Sequence, residues 1–102
     1  MKLTGKCKEA FKKWYSENVE FIGEVLYLEE FYILPQSMQY GVYVDWFDSC
    51  GIYIDDSFDG LNNEFYSCTV HENKVSVLNK NKTRHEARTK AIERANEIYN
   101  EK

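Results

Sequence analysis

Residues 35–49 read PQSMQYGVYVDWFDS, and whether they form a strand or a helix decides the architecture. As a strand, Tyr40, Val42, Val44 and Trp46 alternate against Gly41, Tyr43, Asp45 and Phe47. As a helix, Pro35 suits the first turn, where a backbone N–H has no partner anyway. Met38, Val42 and Trp46 then line one face while Tyr40, Val44 and Phe47 line another. The β-branched and aromatic content favours the strand; the proline start and the good helix formers behind it favour the helix. Composition leaves both readings open.

Toward the N-terminus the pattern is clearer. Leu3, Cys7, Ala10, Phe11, Trp14 and Tyr15 recur at helical spacing, with Lys2, Lys6, Lys8, Lys12 and Lys13 off that stripe. This predicts an amphipathic helix with Thr4 as a candidate cap, ending around Ser16 to Asn18. In residues 19–34, Phe21, Val25, Leu28 and Tyr32 fit a helical face, yet Tyr27, Phe31 and Ile33 are apolar as well. Gly23 is expected to separate the first helix from a second one over Glu24 to Tyr32, with a buried strand as the competing reading.

Toward the C-terminus, Ile52 to Ile54 reads as a short strand, Asp56 to Asn63 as a polar loop and Phe65 to His71 as a second strand. Glu72-Asn73-Lys74 reads as a hairpin turn and Val75 to Leu78 as a third strand. The last helix has the strongest signature. Thr83 and Glu86 form a T-x-x-E capping box, each side chain expected to bond the other residue's backbone N–H. Ala87, Ala91, Ala95 and Ile98, widened by Ile92 and Tyr99, then mark one face. These elements predict one α+β domain over residues 1–102: a small antiparallel sheet of about three strands, packed by the N- and C-terminal helices plus one or two middle helices.

Composition bounds the class. The chain has 102 residues, 43% of them hydrophobic and 16% aromatic, enough apolar surface for one modest core and too much for a disordered chain. Three cysteines, Cys7, Cys50 and Cys68, cannot all pair within the chain. The opening MKLTGKCKEAF lacks the apolar run of a secretory signal, so a reduced, cytoplasmic protein with free thiols is expected. The longest apolar-rich run, Val25 to Leu34, is broken by Glu29 and Glu30, and no membrane association is expected.

Charge is segregated. Residues 14–73 hold twelve carboxylates and no Lys or Arg, while all thirteen basic residues lie in the flanking ends. The net charges are +4, −12 and +4 for residues 1–13, 14–73 and 74–102. An acidic middle between basic ends limits the partners but names no chemistry.

Asp55-x-Ser57-x-Asp59-Gly60-x-x-Asn63 has the residue types of half an EF-hand loop, but Tyr66 stands where the bidentate Glu belongs. An ordinary Asp/Asn/Gly connection accounts for it. Cys68-x-x-His71 is half of a zinc site without a second pair, and on a strand the two would face opposite sides. No local motif selects a nucleophile or an acid/base pair, and there is no glycine-rich phosphate loop. The expectation is a non-catalytic protein with no metal and no cofactor.

The last helix invites a nucleic-acid reading. Lys80, Lys82, Arg84, Lys90 and Arg94 gather at its entry and first turns, with Arg88 among them. A helix, strands and a terminal helix opening with Arg84-His85-Glu86-Ala87-Arg88 is similar to double-stranded-RNA-binding domains, whose terminal helix opens with a K-K-x-A-K run. Such domains read phosphates by shape. The net charge of −4 and the interspersed Glu86, Glu93 and Glu97 oppose it. On a helical wheel Arg88 falls between Ala95 and Tyr99, inside the apolar stripe, so it is expected to snorkel toward a carboxylate such as Asp45 or Asp48.

Two stretches carry a resemblance: Leu34-Pro35-x-Ser37-Met38-Gln39-x-Gly41-Val42-x-x-Asp45-Trp46-Phe47-Asp48-Ser49-x-Gly51-Ile52-x-Ile54, and Thr83-Arg84-x-Glu86-Ala87-Arg88-x-Lys90-Ala91-Ile92-Glu93-x-Ala95-Asn96-Glu97-Ile98-Tyr99-Asn100. Together they resemble short uncharacterised proteins common in phages and mobile elements of gut bacteria. The resemblance covers the middle and C-terminal thirds, and tips residues 36–48 toward helix. It implies an accessory role and no assigned activity. The expected function is therefore a small interaction protein binding another protein through an acidic and aromatic surface of Asp45, Asp48, Asp55, Asp56, Asp59 and Glu64. Its sharper form is a mimic of a phosphate backbone; the alternative is direct nucleic-acid binding through the basic last helix.

Overall fold

A computed structural model describes residues 1–19 and 27–102. In chain order it has α1 (Gly5–Asn18), the short α2 (Leu28–Phe31), α3 (Gln36–Ser49), β1 (Tyr53–Asp59), β2 (Glu64–His71), β3 (Lys74–Asn81) and α4 (Arg84–Asn100). The strands form an antiparallel meander in the order β1-β2-β3. α4 packs across all three strands, and α3 packs on β1 and α4, so the helices cover one face of the sheet. The expected α+β class is the observed one. Of the second helix expected over Glu24 to Tyr32, residues 24–26 lie outside the described residues.

The undecided stretch 35–49 is a helix. Its buried side combines parts of both expected faces: Gln39, Tyr40, Tyr43, Trp46 and Phe47 are buried, whereas Met38 is exposed and Val42 and Val44 are half-buried. Propensity loses here to an aromatic cluster that only helical spacing can build. Phe11 of α1 sits at its centre, with ring centroids 5.0 Å from Tyr43, 5.4 Å from Trp46 and 5.6 Å from Phe31. Such pairs add to the burial of the rings themselves. The buried Gln39 amide donates to the carbonyls of Tyr32 and Leu34 (3.2 and 2.9 Å), satisfying backbone left open where α2 ends.

α3 ends in a Schellman motif spelled by Phe47-Asp48-Ser49-Cys50-Gly51-Ile52. Gly51 takes φ +77°, its N–H donates to the Asp48 carbonyl (3.1 Å), and the Ile52 N–H donates to the Phe47 carbonyl (2.9 Å). Phe47 and Ile52 are both fully buried, the apolar contact that accompanies this motif. Ile52 thus closes the helix, and β1 begins one residue later. β1 also runs on through Asp56–Asp59, where a loop was expected, because each of those residues has a cross-strand partner in β2. The β2–β3 connection is a two-residue turn with φ +50° at Glu72 and +66° at Asn73, the left-handed pair that a tight hairpin needs.

The two ends of the chain are clamped by asparagines. The Thr4 N–H donates to Asn96 Oδ1 (2.9 Å) and the Cys7 N–H to Asn100 Oδ1 (2.8 Å). In return Asn100 Nδ2 donates to the Thr4 carbonyl (3.0 Å) and Asn96 Nδ2 to the Thr4 hydroxyl (3.0 Å). Thr4 is therefore not a side-chain cap for its own helix; α4 supplies the partners for the start of α1. At the other cap, the Thr83 hydroxyl accepts from the Glu86 N–H (3.1 Å), whereas the Glu86 carboxylate turns to Lys90 (3.3 Å). The hydroxyl half of the expected box forms.

At its centre, under α4, the sheet is polar and small. Ala87, Ala91 and Ala95 are fully buried on the helix side, and Ser67 and Thr69 on the β2 side. The Ser67 and Thr69 hydroxyls have no hydrogen-bond partner among the described residues. They act as small spacers that let the helix approach closely.

Two stability predictions follow from these positions. In urea melts, Ser67→Ala stays within about 0.5 kcal/mol of the parent or gains, since it removes an unpaired buried hydroxyl, while Ser67→Leu loses about 2 kcal/mol by overpacking. Gly41, mid-helix with open space where a Cβ would sit, gains about 0.5–1 kcal/mol as Ala. Gly51→Ala loses about 1 kcal/mol through its left-handed φ, so the two substitutions shift the midpoint in opposite directions.

Candidate protein-binding surface

The register fixes what the uncovered face of the sheet carries. Tyr53, Val70 and Val75 form one cross-strand row, Asp55, Cys68 and Val77 the next, and Ser57 and Tyr66 the third. Alternation along the strands turns these side chains away from α4. Val75 is 60% exposed, Val77 58% and Tyr53 56%, values far from those of a packed face. Scattered surface valines need no explanation; a contiguous aliphatic and aromatic face on a sheet does.

The hairpin end of this face is acidic. Asp59, Asn62, Glu64, Tyr66, Val77 and Lys80 line one depression of about 490 Å³. Within it Asp59 organises the turn: Oδ1 accepts from the Leu61 N–H (3.0 Å) and Oδ2 from Asn62 Nδ2 (2.8 Å). These bonds, the Asn62 one foremost, hold the Asp59 carboxyl below its usual range. Lys80 reaches the same face through a bulge, at φ +64°, where the β2–β3 register shifts between Phe65 and Ser67.

The six expected acidic residues divide three ways. Asp55, Asp59 and Glu64 come together on the outer face of the sheet and its hairpin. Asp45 and Asp48 are exposed one turn apart on α3, which belongs to the helical layer and so cannot share that face. Asp56 turns inward and leaves the set. Its Oδ1 accepts from the Tyr40 hydroxyl (3.0 Å) and lies 3.5 Å from Arg88 Nε, and Oδ2 lies 3.7 Å from Arg84 Nε. Arg88 also stacks over the Tyr40 ring at 4.6 Å and Arg84 over Phe65 at 5.6 Å. Arg88 does snorkel to a carboxylate as expected, but to Asp56 in place of Asp45 or Asp48. The register puts Asp56 opposite Ser67 on the inner face, under α4. Burial, and next the neighbouring Asp56 charge, raise the Tyr40 phenol above its ordinary value.

Of the basic residues considered for nucleic acid, Arg84 is held by Asp56, Lys90 by Glu86 at 3.3 Å, and Arg94 by Glu97 at 3.0 Å and the Ser76 hydroxyl at 3.2 Å. Lys80 and Lys82 are exposed, with Lys80 on the outer sheet face. Cys68 and His71 lie on opposite faces of β2, as strand alternation requires. Cys7 is buried, and burial, then Cys50, push its thiol up to about 12. Among the described residues no three His, Cys, Asp or Glu side chains are grouped to hold a metal ion, and no helix is long and apolar enough to cross a membrane.

Sequence reasoning singled out the acidic rim and missed the apolar centre it borders. The signal was present in Tyr66, Cys68 and Val70, but alternation alone does not say which side faces a helix. Comparisons with protein-family models, with curated proteins and with solved structures find no match.

Removing the inward carboxylate tests its internal role. Asp56→Ala is expected to cost about 2 kcal/mol, because Arg84, half-buried Arg88 and the Tyr40 hydroxyl lose a shared partner. Asp55→Ala, its outward neighbour, stays within about 0.5 kcal/mol in the same chemical denaturation experiment.

Proposed function

We propose that the chain is a non-catalytic interaction protein, an accessory factor of phage or mobile-element type, that binds another protein through the outer face of its sheet. One observation carries this reading: the uncovered face is apolar at its centre (Tyr53, Tyr66, Val70, Val75, Val77) and acidic at one edge and the hairpin (Asp55, Asp59, Glu64). An apolar centre desolvates a partner, and a charged rim sets its orientation and excludes partners of like charge. The fitting partner has an apolar patch flanked by Lys or Arg. Burial with a raised pKa at Cys7, and the divergence of Cys68 and His71 on β2, favour the non-catalytic part of the reading.

A second reading has its own observation. The run α3-β1-β2-β3-α4 has the helix, strands, helix order of double-stranded-RNA-binding domains, with Lys80 and Lys82 exposed at the entry to α4. Its cost is that Arg84, Lys90 and Arg94 are engaged by carboxylates. A salt-dependent gel shift with duplex RNA and DNA separates the readings: under the proposed function neither duplex shifts even at low salt.

The direct test is affinity capture from the native host with the parent protein and two variants. Asp55→Asn with Glu64→Gln, which spares the turn-forming Asp59, should reduce recovery of the partner several-fold and make it less sensitive to salt. Asp45→Asn with Asp48→Asn on α3 should leave it unchanged. A partner lost from the α3 variant and kept by the sheet variant would move the surface to the helical layer and end this proposal.

A further inference from the structure

We infer that a pocket in the helical layer binds a small aromatic anion that carries both a hydrogen-bond donor and an acceptor. The pocket lies between the residues leading into α1 and the corner where α2 gives way to α3. No strand residue lines it, so it is separate from the outer face of the sheet.

The pocket has a volume of about 360 Å³, at the small end of ligand sites. Leu3, Gln39 and Tyr43 are its buried lining, with Met1 and Tyr32 partly exposed beside them. Lys2, Lys8 and Gln36 stand exposed around the mouth. Two polar atoms of the buried lining have no partner. Gln39 is 3% exposed, and its Nε2 donates to the carbonyls of Tyr32 and Leu34. That spends both amide hydrogens and fixes the orientation of the group, leaving Oε1 without a hydrogen bond among the described residues. Tyr43 lies one helical turn further along the same face of α3 and is fully buried. Its hydroxyl likewise has no hydrogen bond among the described residues. Neither atom is sealed from solvent, so both open onto the pocket.

These groups set the chemistry of the ligand. Oε1 can only accept, so the ligand must bring an N–H or O–H to it. Burial, and next Tyr32, raise the Tyr43 phenol above its ordinary value, so the hydroxyl keeps its proton and can donate. A molecule that enters without matching both atoms leaves them desolvated and unpaired, which is a strong basis for discrimination. Met1, Leu3 and the Tyr32 ring offer apolar contact, which suits a flat ring. Among the described residues no carboxylate pairs with Lys2 or Lys8, whereas Lys12, Arg84, Arg88, Lys90 and Arg94 are all paired. Burial, then Glu9, raises the Tyr32 phenol, but Glu9 pairs with Lys12 at 3.9 Å and does not line the pocket. The charge at the mouth is therefore positive. A ring with an acidic substituent meets every group. A neutral ring leaves the lysines unused, and a bare inorganic anion leaves Gln39 and Tyr43 unmatched.

The test is a two-dimensional proton–nitrogen NMR titration with two probes, orotate and uridine monophosphate. Both present a ring N–H beside a carbonyl; one carries a carboxylate and the other a phosphate, so their relative affinities identify the preferred anion. Uracil, which lacks the anion, and benzoate, which lacks the ring N–H, are the controls. The expected result is saturable shifts at Leu3, Gln39 and Tyr43 from at least one probe, binding about fivefold or more tighter than either control. Tyr43→Phe should weaken that probe about threefold or more. Because the lost hydroxyl bonds nothing, thermal melts of this variant should show no loss of stability. Lys2→Gln with Lys8→Gln should weaken the probe several-fold and remove most of its salt dependence. No saturable shift from either probe up to about 10 mM overturns the inference. So do shifts confined to other residues, or binding at parental strength in both variants. Controls that bind as tightly as the probes overturn it too, since an apolar hollow without recognition would give that.

Discussion

The close approach of α4 to the sheet is the constraint on which the rest of the molecule depends. A helix can lie directly on a strand only where both sides are small. Ala87, Ala91 and Ala95 supply one side and Ser67 and Thr69 the other, all essentially without solvent exposure. Leaving hydroxyls unpaired in that layer has a cost, offset by the packing that the short distance allows. Ser67 and Thr69 keep the centre of the inner face small, with Ile54, Phe58, Phe65 and Leu78 around them, while Tyr53, Tyr66, Val70, Val75 and Val77 take the outer face. The exposed apolar surface is therefore built into the alternation of β2 and β3 and is no accident of a single residue.

That small layer cannot be the main core, and it is not. Most of the large buried side chains lie where α1, α2 and α3 meet α4: Phe11, Tyr15, Phe31, Tyr43 and Phe47, with Ile92 from the last helix. α4 thus serves two layers at once, alanines toward the sheet and Ile92, Ile98 and Tyr99 toward the aromatic cluster. Its last turns carry Asn96 and Asn100, whose amides occupy the start of α1. A residue with one donor group and one acceptor suits this task, because a backbone at a helix start offers both an N–H and a carbonyl. The clamp ties residues more than ninety positions apart, so the helical layer closes only when the chain is complete through α4.

Much of this was legible in the sequence, and the failures share a cause. The stripes of α1 and α4, the Thr83 cap and the Glu72–Asn73 turn are local devices, readable from a few neighbouring residues. The state of residues 35–49 was not local: Tyr40, Tyr43 and Phe47 become a face only once Phe11 and Phe31 are there to meet them. The second half of β1 looked like a loop because Asp56 and Asp59 are poor strand formers; cross-strand pairing with β2 and the Arg84–Arg88 site for Asp56 override that preference. Gln39, Asn96 and Asn100 gave no signal, since a polar residue meant for a distant backbone group looks like any surface residue.

The charge pattern takes its meaning from the same geometry. Among the described residues, Asp56 is the one carboxylate of the acidic block that a Lys or Arg ion pair engages, and its partners are on the C-terminal helix. Lys12, Lys90 and Arg94 pair with glutamates of their own helices. Segregation is thus a device of internal complementarity at one position and of surface character elsewhere. Of the cations in the nucleic-acid reading, Arg84, Lys90 and Arg94 are engaged by carboxylates, whereas Asp55 and Glu64 border exposed valines and tyrosines. A phosphate backbone offers such a surface neither apolar contact nor opposite charge; a protein face with an aliphatic centre and lysines at its edge offers both.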